Sequence, residues 1–200
     1  MLLHLEQGEL FGLEERLPDG FAYHPGFISR EEEAALMAEI AQLPLQEAQY
    51  KSYTAKRRIA SFGSSYDFDT NVRSPAPPIA DFLKPLRRKV AVWIDEPAED
   101  FVDALVTEYS PAAGVGWHRD VPDFELIVGV SLGSACRMRF RPYPPERGRA
   151  KESFDLQLSP RSAYIIRDSA RWDWQHCVPP VAALRYSITF RTRRPEKDTD

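Results

Sequence analysis

Residues 184–191 read Leu-Arg-Tyr-Ser-Ile-Thr-Phe-Arg, and their alternation sets the fold class. Successive side chains of a β-strand point to opposite faces. Arg185, Ser187, Thr189 and Arg191 therefore share one face, and Tyr186, Ile188 and Phe190 share the other. His176 precedes this strand by nine residues, counted to Arg185, and by fifteen, counted to Arg191. Another 58 positions back stands an H-x-D pair, His118 and Asp120. Two imidazoles and one carboxylate form the ligand set of a non-haem Fe(II) site with open coordination positions. Arginine offers a rigid planar fork that grips a carboxylate bidentately.

The same ligand set also suits catalytic zinc, with water at the open position. Two features weigh against hydrolysis. No Asp or Glu stands at a general-base spacing from the three ligands, and a carboxylate-binding strand face is not something hydrolysis requires. His4 and His24 fall in an acidic N-terminal stretch and read as surface residues.

The surrounding pattern supplies the scaffold. Short segments rich in Val, Ile, Tyr and Phe, separated by Pro, Gly and Ser, predict strands at 102–109, 115–120, 125–132, 136–141, 153–158, 162–167, 172–177 and 183–192. Two helices are predicted before them. Ser29 and Glu32 have capping-box spacing, Leu36, Met37, Ile40 and Leu43 follow at helical period, and Pro44 ends the run. The second spans about 78–94, with Pro85 either kinking it or lying in its first turn. Helices followed by short strands indicate an α+β domain around a small sandwich or barrel.

A chain of 200 residues suffices for one domain with a substantial core. The net charge of −4 rules out a polycation, although a local basic face can still meet a nucleic acid. Cys136 and Cys177 are the only cysteines, and no early apolar run is long enough for a signal or membrane helix. We expect a soluble cytoplasmic monomer with no membrane partner. Residues 194–200 read as a flexible tail.

These motifs resemble one known family, the AlkB-like Fe(II)/2-oxoglutarate dioxygenases. The matching stretches are Tyr109 to Asp120 (YSPAAGVGWHRD), Ile127 to Gly133 (IVGVSLG) and His176 to Arg191 (HCVPPVAALRYSITFR). Arg58 to Phe68 (RIASFGSSYDF) is similar to the family's substrate lid, and the resemblance covers about residues 20–193 as a single domain. It implies a double-stranded β-helix, or jelly roll, with N-terminal helices packed on one sheet. It implies Fe(II), 2-oxoglutarate and O2 as cofactors. His118, Asp120 and His176 would be the catalytic metal ligands. Arg185 would pair with a 2-oxoglutarate carboxylate, supported by Tyr109 and Ser187, with Arg191 near the iron-chelating end.

The implied reaction is oxidative demethylation of an N-methylated base, single-stranded or flipped, in DNA or RNA. A protein side chain or small molecule is the alternative substrate, and a non-catalytic binding domain is the third reading. Arg58, Phe62, Tyr66 and Trp172 are the substrate-binding candidates. Two basic segments, 51–58 and 137–151, are interleaved with aromatics and could hold a nucleic-acid strand. The sequence departs from many repair members of the family at Thr107, Ser187 and Pro122, which leaves the substrate open.

Overall fold

The computed structural model describes residues 17–50, 53–67, 70, 72–145 and 153–195. Helix α1 is Arg30–Ile40 and α2 is Lys84–Ile94, with a short α3 at Asp168–Trp172. The strands are β1 (Phe21–His24), β2 (Gln46–Tyr50), β3 (Tyr53–Phe62), β4 (Ser64–Asp67), β5 (Val72–Pro75) and β6 (Phe101–Tyr109). They continue as β7 (Val115–His118), β8 (Phe124–Gly133), β9 (Cys136–Pro142) and β10 (Phe154–Leu158). The last three are β11 (Ala163–Ile166), β12 (Trp174–Val178) and β13 (Arg185–Arg193).

A seven-stranded antiparallel sheet runs β1-β11-β8-β13-β6-β3-β2, and a four-stranded one runs β10-β9-β12-β7. Strands β4 and β5 form a separate hairpin. Two cores follow from the alternation read in β13. On one face of the large sheet Tyr186, Ile188 and Phe190 join Val106, Val128 and Val130. Leu36 and Ile40 of α1 and Leu86 and Val90 of α2 enter the same cluster. Each such side chain, fully buried, contributes roughly 1.5–3 kcal/mol. On the other face Tyr109, Ile127 and Tyr164 meet Met138, Phe140, Leu156 and Val178 of the small sheet. The functional candidates lie in this second space, between the sheets.

The capping box at Ser29 is present in full: the Glu32 amide donates to the Ser29 hydroxyl, and the Ser29 amide donates to the Glu32 carboxylate. The second helix begins later than expected. A 3-10 turn occupies Asp81–Leu83, and Pro85, which has no amide hydrogen to give, sits in the first turn of α2. Pattern reading also missed every strand before residue 101. Strand β2 is an edge strand of mixed polarity (Gln-Glu-Ala-Gln-Tyr), and β3 carries three consecutive basic residues, so neither shows the apolar alternation of β13. The segment 172–177, expected as one strand, divides into the end of α3 and the start of β12.

The hairpin β4–β5 is fastened to the large sheet at its root. Gly63 has φ +80° and lies so close to the Val102 carbonyl that a Cβ would collide with it. Next to it, the Ser64 amide (3.1 Å) and hydroxyl (2.5 Å) both donate to Asp103, which is buried on β6. Gly63→Ala must therefore strain the backbone and displace β6 together. We expect a loss of about 2 kcal/mol or more in urea unfolding; an unchanged midpoint would show that the root of the hairpin is not fixed this way.

Candidate functional site

His118 is the last residue of β7, and His176 is its partner across the β7–β12 ladder. The two rings are 4.3 Å apart, centroid to centroid. His118 Nδ1 lies 2.8 Å from the Gly116 carbonyl, so that nitrogen carries the proton and Nε2 is left as the ligand atom. Asp120 Oδ2 lies 3.6 Å from His176 Nε2. One ligand atom from each of the three residues falls within 4.8 Å of the others. The donor set and its spacing fit a divalent ion held at about 2.0–2.2 Å from each donor.

Asp120 does not reach this point along a strand, as the H-x-D spacing predicted. Strand β7 stops at His118, and Asp120 approaches from the loop beyond. Burial, reinforced by the neighbouring His118, lowers the pKa of His176 to about 3. Its imidazole is therefore neutral and ready to ligate at any ordinary pH. Burial alone would raise the Asp120 pKa, but the surrounding positive groups outweigh it and leave the value at about 2. His176 makes the largest contribution against burial, followed by Arg191, His118 and Arg171.

The arginines of β13 extend the site. Arg185 is 1% exposed. Its Nε donates to the Ser131 hydroxyl at 3.2 Å, and its guanidinium carbon lies 4.9 Å from the centre of the Tyr109 ring. Its Nη1 is buried and has no hydrogen-bond partner among the described residues. A buried charged donor left unsatisfied costs about 1–3 kcal/mol or more, and a carboxylate would satisfy it. That donor is the observation by which the site fits 2-oxoglutarate. Ser187 is buried two residues further along the same face. Arg191 lies closer to the triad: its Nη1 is 3.2 Å from Asp103 and its Nη2 is 3.6 Å from Asp120 Oδ1. Its Nε is also buried with no hydrogen-bond partner among the described residues.

Two residues that sequence reading missed complete the interior. Tyr164 of β11 lies against Gly129 of β8, where any Cβ would run into its ring. Burial drives its phenol pKa up, against the pull of Arg185, so the hydroxyl stays a neutral donor. A tyrosine facing a glycine becomes visible only once the β8–β11 register is known. Arg171 of α3 is 2% exposed and donates to main-chain carbonyls of the loop that carries Asp120.

Two of the four substrate candidates, Arg58 and Phe62, face away from the triad. Arg58 forms a two-pronged ion pair with Glu108 (2.8 and 2.9 Å), and Phe62 is 7% exposed in the core on the helix side. Arg58 pairs in register with Glu108 and Phe62 with Ala104, so both face away from Tyr109 and the site. It is Arg57 whose register partner is Tyr109. Tyr66 lies on the hairpin opposite Arg73, which comes within 3.9 Å of Asp123 in the loop after the H-x-D pair. Trp172 donates its indole N–H to Glu125 at 2.9 Å and packs beside Arg171 and Arg194. In the second basic segment, Arg137 and Arg139 pair with Asp155, and Arg141 bonds Gln175 and lies 4.4 Å from the Trp117 ring centre. These three belong to the outer face of the small sheet. Residues 51, 147, 149 and 151 lie outside the described residues.

A two-sheet antiparallel fold holding a two-histidine, one-carboxylate cluster beside a buried arginine defines a class, the 2-oxoglutarate-dependent iron oxygenases. Comparison with known proteins agrees: residues 20–191 match the 2OG-Fe(II) oxygenase superfamily, and the chain belongs to it, as an AlkB-like member. The family's cofactors are Fe(II), 2-oxoglutarate and O2. Among relatives, the mitochondrial alpha-ketoglutarate-dependent dioxygenase alkB homolog 7 of Mus musculus is 30% identical over 165 residues, covering 80% of this chain and 68% of that one. The alkylated DNA repair protein ALKBH8 homolog of Arabidopsis thaliana is 27% identical over 176 residues, covering 78% of this chain and 49% of that one. The RNA demethylase ALKBH9B of Arabidopsis thaliana is 24% identical, covering 86% and 39%. The chain thus spans only half or less of the two plant relatives. The solved structure of OsALKBH1 superposes with a TM-score of 0.66 at 14% identity, over 88% of this chain and 98% of that one. A Pseudomonas putida prolyl-4-hydroxylase gives 0.60 at 14% identity, over 88% and 94%. Both share the jelly-roll fold. Among the described residues no helix is long and apolar enough to cross a membrane.

The His176 pKa makes a prediction for the metal-free protein. The unfolded chain takes up a proton near 6.5 that the folded state refuses until about 3. Stability is thus fully present above 6.5 and drains away as pH falls through that window. Melting temperatures measured from pH 7 to pH 4 should fall less steeply for His176→Asn than for the parent. Parallel profiles would mean that His176 does not titrate in this way.

Proposed function

We propose that this chain is an Fe(II)- and 2-oxoglutarate-dependent dioxygenase that demethylates N-methylated nucleobases presented on a single strand or flipped from a duplex. The unpartnered Nη1 of Arg185, in the same inter-sheet interior as the triad, carries the reading of the chemistry. The substrate class draws support from relatives described as an alkylated DNA repair protein homolog and an RNA demethylase.

His118, Asp120 and His176 would hold the iron, and Arg185 would pair with a carboxylate of 2-oxoglutarate. Ser131 fixes the Arg185 fork, while Tyr109, Tyr164 and Ser187 line the same chamber. Arg191, 3.6 Å from the Asp120 carboxylate, helps with His176 to lower its pKa. Bound there, iron and 2-oxoglutarate supply the oxidation of a substrate C–H bond by O2, with succinate and CO2 as co-products. On an N-methyl group the hydroxylated product sheds formaldehyde.

A second reading takes a protein side chain as substrate. What favours it is that Arg58 and Phe62, the expected gripping residues, face the helix side of the large sheet, and that the net charge is −4.

A succinate-release assay on methylated DNA, methylated RNA and peptide panels, paired with formaldehyde detection, separates the two. Formaldehyde from a methylated oligonucleotide is the expected result. Succinate with peptides, and none above background with any oligonucleotide, would transfer the assignment to the second reading. Activity that persists in His118→Ala would refute the site itself.

The carboxylate grip has its own test. Arg185→Met should raise the KM for 2-oxoglutarate roughly 10- to 100-fold, the equivalent of one charge-assisted hydrogen bond. Tyr164→Phe should raise it only a few-fold. Equal KM values for Arg185→Met and the parent would remove Arg185 from the co-substrate site.

A further inference from the structure

Among the described residues Arg171 is one of the largest fully buried side chains, and its hydrogen bonds go to main-chain carbonyls. Its Nε donates to the Phe124 carbonyl at 3.1 Å. Its Nη2 donates to the carbonyls of Asp120 at 3.2 Å and Val121 at 2.7 Å. Two of the acceptors, the carbonyls of Asp120 and Val121, lie in the loop between the end of β7 and the start of β8, and the third belongs to Phe124, the first residue of β8. Arg171 itself stands five residues before His176, on a helix anchored by bonds from the Ala170 amide to Asp19 and from the Arg171 amide to Arg167. One guanidinium therefore ties the loop that carries Asp120 to the segment that leads into His176.

Burying a guanidinium is expensive even with the Asp120 and Glu125 carboxylates nearby, and an apolar side chain of similar volume would fill the space at lower cost. The geometry of the three bonds explains the choice. A planar fork reaches carbonyls at three backbone positions at once, which a lysine ammonium on a flexible stem cannot reproduce.

We propose that Arg171 is a positioning residue of the metal centre: it holds the loop between β7 and β8 so that the Asp120 carboxylate meets the two imidazoles. This rests on reading His118, Asp120 and His176 as metal ligands.

The test uses Co(II) as the probe, titrated into metal-free full-length protein and followed by affinity and by its visible ligand-field spectrum. Arg171→Met should stay folded by circular dichroism, bind Co(II) about 10- to 100-fold more weakly, and show an altered spectrum. Arg171→Lys should recover only part of the affinity. Parent affinity and an unchanged spectrum in Arg171→Met overturn the proposal, because packing alone would then explain the residue. If Arg171→Met does not fold, Arg171→Lys decides: weakened Co(II) binding with an altered spectrum supports positioning, and parent behaviour overturns it. Failure of the underlying metal reading looks different, since parent and His118→Ala would then bind Co(II) alike.

Discussion

The antiparallel pairing of His176 with His118 is the constraint on which the site depends. It brings together two residues separated by 58 positions in sequence and sets their rings 4.3 Å apart. Pairing across a ladder fixes which face each side chain takes, and a slip of one residue in either strand would send that strand's imidazole to the outer face of the small sheet. There Trp117, Arg139 and Arg141 already form a polar, aromatic surface. The apolar interior, with Phe140 beside His176, thus selects the register, and the register makes the donor pair. Asp120 is outside this logic. It lies past the last residue of the ladder, and its position is left to side chains that reach the loop from elsewhere.

How much of this was legible follows from what each residue's partner is. The faces of β13 could be read from alternation, because the two sides differ sharply in polarity and nothing but strand geometry was needed. The triad was legible because ligand chemistry restricts residue types severely. Arg58 and Phe62 were misplaced for a reason internal to β3: Arg57 and Arg58 are adjacent and alike, so composition could not tell which of them faces the site. Register settles it, and register depends on β6, 50 positions away at Arg58 and Glu108. Arg171 and Tyr164 left no trace of another kind. The partners of Arg171 are backbone carbonyls, which every residue possesses, and Tyr164 is recognised by the missing side chain at Gly129.

The polar residues linking the hairpin to the triad form one continuous path. Ser64 donates to Asp103, Asp103 accepts from Arg191, and Arg191 lies against Asp120. Gly63 sets the start of the path by letting the hairpin root press on β6. The segment that resembles the family's lid is therefore joined through buried polar contacts to a metal-ligand candidate. A buried network of this kind is rigid when every member is satisfied, because each bond strengthens its neighbours in a low-dielectric interior. Arg191 Nε is the one nitrogen of the path with no partner among the described residues, which makes it the point at which the network can still accept a ligand.

Charge then explains why metal and co-substrate belong together here. Arg171, Arg185 and Arg191 place three cations around the site, and Asp103 and Asp120 supply two carboxylates, an excess of one positive charge. A divalent ion entering alone would raise that excess to three. A dianion entering with it would return the total to one, and its two carboxylates would offer acceptors to Arg185 Nη1 and Arg191 Nε. In an interior where Coulomb terms are only weakly screened, that difference is large compared with a single neutral hydrogen bond. The arginines that look redundant in sequence thus divide the task. Arg191 and Arg171 help to lower the Asp120 pKa, and on the proposed reading Arg185 would hold its positive charge for the anion.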